Sequence, residues 1–315
     1  MRKFVTRLSL NPKLQMWRRV VEMKSWRYQE LQKALPTTNC VDVGASYYPH
    51  TSWWLFLGSE SSNWLAVEPN ESNLSYLKNW PWKAKTHAVV AGLSELGGKE
   101  VLHITNIDSG SSLLEPVIPP SMKLRLGESG EKYVFPVRKV EIDTRTLASV
   151  LEEVGNYPTI VKLDTQGSEL SILKAAINEK MSSKIVGIEI ECSLLATPLY
   201  KGSPRLWEIA LYLEGFGFEL LGLDVLPRNS TSKKVSNISK QLAVECDAVF
   251  SLRRDVVFGR CLEERAVLFG FYVTNNFHKE AIITLESDIE LVVYLENRGL
   301  NVSKLVKTLK SVRIS

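Results

Sequence analysis

The sequence predicts an α/β fold built on a doubly wound, mostly parallel sheet. Seven short runs rich in Val, Ile and Leu are typical of strands that are buried on both faces of a sheet. Helix-like stretches separate several of these runs, and this alternation of strand and helix predicts the doubly wound arrangement. The predicted strands are 39–45, 64–69, 84–90, 159–164, 184–191, 218–225 and 246–252, and the helices between them are 71–79, 168–181 and 203–215.

Helical segments are predicted at both ends of the chain. Apolar residues recur at roughly helical spacing over 12–35, where Pro12 suits a first helical turn and Pro36 ends the helix. The strand-like residues after the third run have the pattern of an insertion. We therefore expect an N-terminal helical extension over 1–37, a central domain over 38–254 with an inserted β segment near 99–142, and a C-terminal helical extension over 255–315.

The composition is that of an ordinary soluble globular chain. Of the 315 residues, 44% are apolar and 23% are charged, and the net charge of +4 does not by itself indicate nucleic acid. Both ends are basic, which suits contact with an anionic membrane or nucleic acid, although solubility and helix-end charge explain it more simply. The sequence shows no spanning helix, no secretory signal and no CxxC pair among its four cysteines. These features predict a cytoplasmic protein.

Candidate ligand-binding residues follow the first two predicted strands. In an open α/β sheet, ligands bind at the carboxyl ends of the strands. The first strand ends near Asp42, after which Gly44, Ala45 and Ser46 permit a tight turn and a close approach to the main chain. Glu68 follows 26 residues after Asp42, at the tip of the second strand, where a carboxylate can bind both hydroxyls of a ribose. The pattern predicts a nucleoside-binding site.

The first loop restricts the kind of nucleoside. A dinucleotide requires a glycine-rich turn that holds pyrophosphate at a helix N-terminus, whereas Tyr47 and Tyr48 make this turn bulky. A cofactor without phosphates, such as S-adenosylmethionine, fits the loop better. Pro69, Asn70 and Val90, which end the second and third runs, complete the predicted cofactor-binding residues.

Several motifs occur in the order typical of one known family. They are VDVGAS, AVEPN, GSSLLEP, IDTRTLASVL, VKLDTQGSELSILKAA, GIEIE and CDAVF, between roughly residues 38 and 255. On these motifs the chain resembles the FkbM-type S-adenosylmethionine-dependent methyltransferases. The resemblance implies a class I methyltransferase (Rossmann-like) fold, cofactor contacts from Asp42, Gly44 and Ala45, and a ribose contact from Glu68. It also implies O-methylation of a natural product, glycan or lipid.

The chain departs from the family pattern in the first loop. The family often has Asn and then a second small residue, where this chain has Ser46, Tyr47 and Tyr48. The departure leaves open a non-catalytic binding protein on the same fold. A third function, an NAD(P)-linked oxidoreductase, would need the phosphate-binding glycine loop that the two tyrosines oppose.

Carboxylates near the ends of the fourth and fifth strands are the catalytic candidates. The family commonly has Asp, Gly and Glu at the positions of Asp164, Gly167 and Glu169. A hydroxyl acceptor needs a group that takes its proton, and Asp164 is the preferred base, unless it binds the amino group of the cofactor. Glu169 is either catalytic or a cap of its helix. Glu191 is a further candidate because a buried carboxylate is costly unless it is paired or used.

Other features complete the predicted site. We expect Glu189, on the same strand face as Glu191, to pair with a cation, and the sequence contains no His/Asp cluster that indicates a metal. The segment 108–116 either closes over the acceptor as a lid or is a connecting loop. We expect a small-molecule, glycan or lipid acceptor and no nucleic acid partner. The sequence does not determine the acceptor or the oligomeric state.

Overall fold

The fold was analysed in a computed structural model. It describes residues 26–45, 53–77, 82–106, 108–117, 136–177, 184–227 and 243–311. Three residues of the predicted first loop, Ser46, Tyr47 and Tyr48, lie outside the described residues, as does the first part of the predicted N-terminal helix.

Seven strands form the main sheet. They are β1 (Asn39–Val43), β2 (Asn63–Val67), β3 (Lys85–Val89), β7 (Thr159–Leu163), β8 (Ile185–Ser193), β9 (Phe218–Pro227) and β10 (Ala243–Leu252). Their order across the sheet is β3-β2-β1-β7-β8-β10-β9. The first five strands in this order are parallel to one another, whereas β10 is antiparallel to both β8 and β9. Each of the seven predicted runs forms one of these strands, so the predicted mostly parallel α/β sheet is confirmed.

Three further strands form a separate small sheet. They are β4 (Gly92–Leu93), β5 (Gly98–Thr105) and β6 (Pro136–Arg145), in the order β4-β6-β5. From Val140 to Thr144, residues of β6 alternate between a half-buried or buried face and an exposed face. This alternation is typical of an antiparallel pair that is covered on one side only. The inserted strands predicted near 99–142 therefore form their own layer beside the main sheet.

Eleven helices are found among the described residues. They are α1 (Trp26–Ala34), α2 (Trp54–Leu57), α3 (Glu71–Leu77), α4 (Leu147–Leu151), α5 (Glu169–Ile177), α6 (Leu206–Glu214), α7 (Arg254–Val257), α8 (Leu262–Thr274), α9 (His278–Ser287), α10 (Ile289–Asn297) and α11 (Val302–Ser311). The buried apolar residues of α1, of the main sheet and of the helices α8 to α11 belong to one continuous core. The division into a central domain and two extensions stays a prediction.

Close packing of α8 on the main sheet depends on a glycine. A β-carbon added at Gly187 in β8 would lie 2.7 Å from the ring of Phe271 in α8. Real carbon contacts are not that short, so a side chain at this position would push the helix away from the sheet. The absence of a side chain lets the aromatic ring rest directly on β8.

The helical stretch at 279–298 is divided at Asp288. Its carboxylate accepts a hydrogen bond from the backbone N–H of Leu291 at 3.0 Å, and so caps α10. One nitrogen of the Arg265 guanidinium in α8, Nη1, donates to both oxygens of the same carboxylate, at 3.0 and 2.9 Å. This buried, charge-assisted pair fixes the break between α9 and α10 against α8. In the part of the chain that the structure describes, no helix has the length and apolar character required to cross a membrane.

Candidate active site

A cavity of about 340 Å³ opens at the carboxyl ends of β1, β2 and β7. Its wall is shared between the main sheet and the small sheet, and the segment 109–113 also lines it. The main-sheet side carries the polar groups, whereas the small-sheet side is mostly apolar. This is the edge at which an open parallel sheet binds its ligands.

Gly44 brings the tips of β1 and β7 into direct contact. Its N–H donates to the carbonyl of Val67 at 2.9 Å, and its φ is +80°. A β-carbon at this position would lie 2.0 Å from the carbonyl oxygen of Asp164. Both the backbone angle and the space therefore require glycine.

Replacing Gly44 with alanine is expected to lower the free energy of unfolding by about 3 kcal/mol or more, because a clash with backbone adds to the strain of a positive φ. Urea denaturation measures this loss. Gly202→Ala is the matched control, since Gly202 also has a φ of +80° but no atom within 4 Å of the added carbon. We expect the control to lose only about 1 kcal/mol, the cost of the angle alone. Equal losses in the two variants would refute the role of the close contact.

Glu68 lies where β2 enters the cavity. Its backbone N–H donates to the carbonyl of Val89 at 3.1 Å, which continues the pairing of β2 with β3. Its carboxylate accepts the N–H of Asn70 at 2.9 Å, and the side chain of Asn73 is 3.5 Å away. These bonds hold a nearly buried carboxylate in a fixed orientation at the cavity wall.

Lys162 is a buried cation between several carboxylates. It lies in β7, in register with Asp42 of β1 on one side and Glu189 of β8 on the other. Its ammonium group is 2.9 Å from Asp164 Oδ2 and 4.0 Å from Asp42 Oδ1. Burial alone would lower the pKa of Lys162, but the charges of Asp164 and Asp42 outweigh burial and raise that pKa. Lys162 is therefore ionised and compensates the charge of the buried Asp42 and of the half-buried Asp164.

Asp164 ends β7 and faces the cavity. Burial would raise its pKa, but the charge of Lys162 and hydrogen bonds from Lys162 and Gln166 hold the pKa below its usual value. The amide of Gln166 donates to Asp164 Oδ1 at 3.0 Å. Asp164 is therefore an ionised, firmly oriented carboxylate at the cavity wall.

Gln166 connects Asp164 to a second acid and a phenol. The same side-chain nitrogen also donates to the carboxylate of Glu191, and Tyr200 Oη lies 2.9 Å from Gln166 Oε1. Gln166 has a φ of 58°, in the left-handed region that few residues with side chains adopt. Burial first, and then the charges of Asp164 and Glu245, raise the pKa of Glu191 well above its ordinary value.

Glu169 organises the loop between β7 and α5. Its Oε1 accepts the N–H groups of Thr165 and Gly167 at 2.8 and 3.0 Å, and the hydroxyl of Thr165 at 3.1 Å. The side chain is buried beneath the loop, and burial raises its pKa. The carboxylate thus occupies the donors of its own loop, as a capping group does.

The acidic environment of the site continues into β10. Asp247 is in register with Glu191, and burial together with the charge of Asp164 raises the pKa of Asp247 to about 6. Within the described ranges, no group of three or more His, Cys, Asp or Glu side chains has an arrangement that could hold a metal ion.

The segment 108–117 forms the roof of the cavity and is called the roof segment. Ser112 pairs with His103 of the small sheet through two backbone bonds, and its hydroxyl donates to the carbonyl of Gln166 at 2.8 Å. Tyr200 Oη lies 2.8 Å from the carbonyl of Gly110, and Val117 N–H donates to the carbonyl of Leu199. The roof segment therefore joins the small sheet to the loops that follow β7 and β8. Its action as a lid stays a prediction.

The structure brings many, but not all, of the sequence-predicted residues to the cavity. The cavity is lined by Gly44, Glu68, Pro69, Asn70 and Asp164. Four others lie away from its wall, since Asp42 and Glu169 are buried, Glu191 is half-buried beyond Gln166, and Val90 is 52% exposed. Ala45 is buried at the turn after β1, and Ser46 lies outside the described residues.

Four functional candidates were missed in the sequence: Lys162, Gln166, Tyr200 and Arg138, the last of which lines the cavity from β6. A signal existed for Lys162, because a lone lysine inside an apolar run needs a buried acid as partner. Gln166 lies between Asp164 and Glu169, which were predicted, but neither its residue type nor its position in the sequence indicates a role. Tyr200 and Arg138 come from distant segments, and only the fold brings them to the site.

The family profile of the methyltransferase FkbM domain matches residues 42–220, which is more than half of the chain. The chain therefore belongs to the FkbM methyltransferase family, and the predicted family is confirmed. Membership agrees with the predicted class I methyltransferase fold and with S-adenosylmethionine as the methyl donor. No curated protein sequence matches the chain.

Several solved structures are similar to the chain at low identity. TrmK from M. capricolum is 9% identical with a TM-score of 0.30, covering 92% of this chain and 100% of that chain. A precorrin-6y C5,15-methyltransferase from Geobacter metallireducens GS-15 is 12% identical with a TM-score of 0.31, and the match covers 71% of this chain and 86% of that chain. A 16S rRNA (adenine(1408)-N(1))-methyltransferase from Catenulisporales acidiphilia is 13% identical with a TM-score of 0.27, and the match covers 71% of this chain and 91% of that chain. Similarity of this size does not carry an acceptor from one protein to another.

Proposed function

We propose that the protein transfers a methyl group from S-adenosylmethionine to a hydroxyl oxygen of a small molecule, glycan or lipid. The observation that carries the proposal is the shared cavity at the tips of β2, β1 and β7, which Glu68, Gly44 and Asp164 line together. Family membership supplies the reaction type, and the cavity supplies a place for it.

The donor groups at the cavity suit the cofactor. The fixed carboxylate of Glu68 has the chemistry that binds ribose hydroxyls. Gly44 has no side chain, so a ligand can approach the main chain closely at this position. The ionised Asp164 suits the neighbourhood of a positively charged sulfonium. When bound, S-adenosylmethionine supplies an electrophilic methyl group. Glu68, Pro69 and Asn70 would hold its nucleoside end.

Asp164 is the proposed acceptor of the proton. Alignment of the acceptor hydroxyl against the methyl group provides most of the acceleration in such a displacement. Lys162 and Gln166 hold the Asp164 carboxylate ionised and in one orientation. A weak base suffices here, because the hydroxyl oxygen becomes strongly acidic as its new bond to carbon forms. Glu169 positions the loop that carries these groups, and Glu191 shares the amide of Gln166.

A non-catalytic binding protein is the remaining alternative. Both functions predict affinity for S-adenosylhomocysteine, but only the enzyme moves a labelled methyl group from the cofactor to a component of an extract of its own cells. Binding without any transfer would favour the alternative.

Glu68→Gln is expected to weaken S-adenosylhomocysteine binding about 10- to 100-fold, which is the loss of charge-assisted hydrogen bonds to ribose. Glutamine keeps an oxygen that can accept the N–H of Asn70, so the loop is retained. Isothermal titration calorimetry measures the affinity. Glu71→Gln, at an exposed position at the start of α3, is the control and should bind normally. Unchanged affinity in Glu68→Gln would contradict the proposed site.

A further inference from the structure

One wall of the cavity has no role in the proposed binding of the cofactor. Leu102 and Ile104 of β5 and Val140 and Ile142 of β6 line it, all from the same face of the small sheet. Antiparallel pairing places Leu102 opposite Val140, so these side chains form one continuous apolar surface. Such a surface binds the apolar part of a ligand by removing it from water.

Arg138 stands on the same face, at one end of this apolar wall. It is in register with Ile104, it lines the cavity, and its side chain is exposed. No described residue forms an ion pair with it, whereas Lys99 on the outer face of the same sheet binds Asp143 at 2.7 Å. The inner face thus presents a cation, beside apolar groups, whose charge no described side chain neutralises.

We propose that this wall is the acceptor site and that it takes an amphipathic acceptor, with an apolar body on the small sheet and an acidic group held by Arg138. The inference rests on the proposed methyl transfer, since it assigns the acceptor side of the same cavity. The guanidinium recognises a carboxylate, sulfate or phosphate by paired hydrogen bonds. The hydroxyl groups of Ser109 and Ser111 complete the lining with donors for the polar parts of the same ligand.

Two fluorescent probes of similar shape test the proposal. Anilinonaphthalene sulfonate has an apolar body and an anionic group, and phenylnaphthylamine has a similar body without the charge. Both are titrated into the full-length protein with saturating S-adenosylhomocysteine. Arg138→Gln is expected to weaken the sulfonate probe about tenfold and to leave the neutral probe unchanged. Lys139→Gln, on the outer face of the same strand, should change neither affinity.

The outcomes separate this inference from the proposed function. An unchanged affinity for the sulfonate probe in Arg138→Gln, or an equal loss for both probes, would overturn the acidic-group assignment. S-adenosylhomocysteine should bind Arg138→Gln as it binds the wild type. A tenfold loss of S-adenosylhomocysteine affinity in Arg138→Gln would make Arg138 a ligand of the cofactor carboxylate and overturn the acceptor assignment. Failure of the wild type to bind S-adenosylhomocysteine would instead refute the proposed function. In that case the two probes, titrated in the absence of S-adenosylhomocysteine, would still show whether Arg138 binds an anionic group.

Discussion

Replacing Asp164 with asparagine is expected to lower the rate of methyl transfer about 10²- to 10⁴-fold, the usual contribution of a positioned base. Asparagine keeps the shape of the side chain but cannot take the proton of the acceptor. Lys162 retains Asp42 at 4.0 Å as a partner, so we expect the fold to survive. The rate of transfer from labelled cofactor to the acceptor fraction of a cell extract measures the effect.

The same variant distinguishes the two roles of Asp164. A base should leave S-adenosylhomocysteine affinity within about twofold, whereas a ligand of the cofactor's amino group should lose roughly tenfold or more, the value of a charged hydrogen bond. Asp247→Asn is the control, because Asp247 is an acid near the site that does not line the cavity. Wild-type rates in Asp164→Asn would exclude the residue as the base.

Lys162→Met is expected to lower the free energy of unfolding at neutral pH by about 3–5 kcal/mol, the cost of breaking a buried pair by removing one partner. The variant removes the cation that lies in register between the buried Asp42 and Glu189, and it takes away the ion-pair partner of the half-buried Asp164. Urea denaturation at several pH values measures the loss. Lys85→Met, at an exposed position of β3, should change the free energy of unfolding by less than about 0.5 kcal/mol.

The pH dependence of Lys162→Met has a definite sign. In the wild type the pKa of Asp164 is lowered, so the pair stabilises the fold above the ordinary aspartate pKa of 3.8 and this stability is lost as the pH falls through the lowered value. In the variant, burial without a cation raises the pKa of the same carboxylate. The difference between the two proteins should therefore narrow as the pH is lowered toward about 4. A variant as stable as the wild type at neutral pH would contradict the role of Lys162.

The centre of the main sheet was predictable because β1, β2, β7 and β8 are buried on both faces. Such strands are nearly continuous runs of Val, Ile and Leu, and a run of this kind is visible without knowledge of its neighbours. The division of the helical stretch 279–298 into α9 and α10 was harder to predict, since it depends on the bond between Asp288 and Arg265 of another helix. The local sequence around Asp288 does not indicate a partner that lies 23 residues away.

The site was predictable only in part, for a similar reason. Strand ends point to Glu68 and Asp164, because the position of a ligand at a parallel sheet follows from the fold. The pairing of Lys162 with Asp42 depends on the register between β1 and β7, which a single sequence does not specify. Arg138 could not be assigned to the site from the sequence, because that assignment depends on the position of the small sheet beside the cavity. Residues whose role depends on register or on distant segments are therefore those that the sequence did not reveal.

Tyr200 links the roof segment to the side chain that orients Asp164. Its hydroxyl oxygen is within hydrogen-bond distance of the Gly110 carbonyl above the cavity and of the Gln166 amide oxygen beside it. One hydroxyl carries one hydrogen, so it serves a single acceptor at a time. The same oxygen therefore contacts the roof of the cavity and the amide side chain that orients the Asp164 carboxylate.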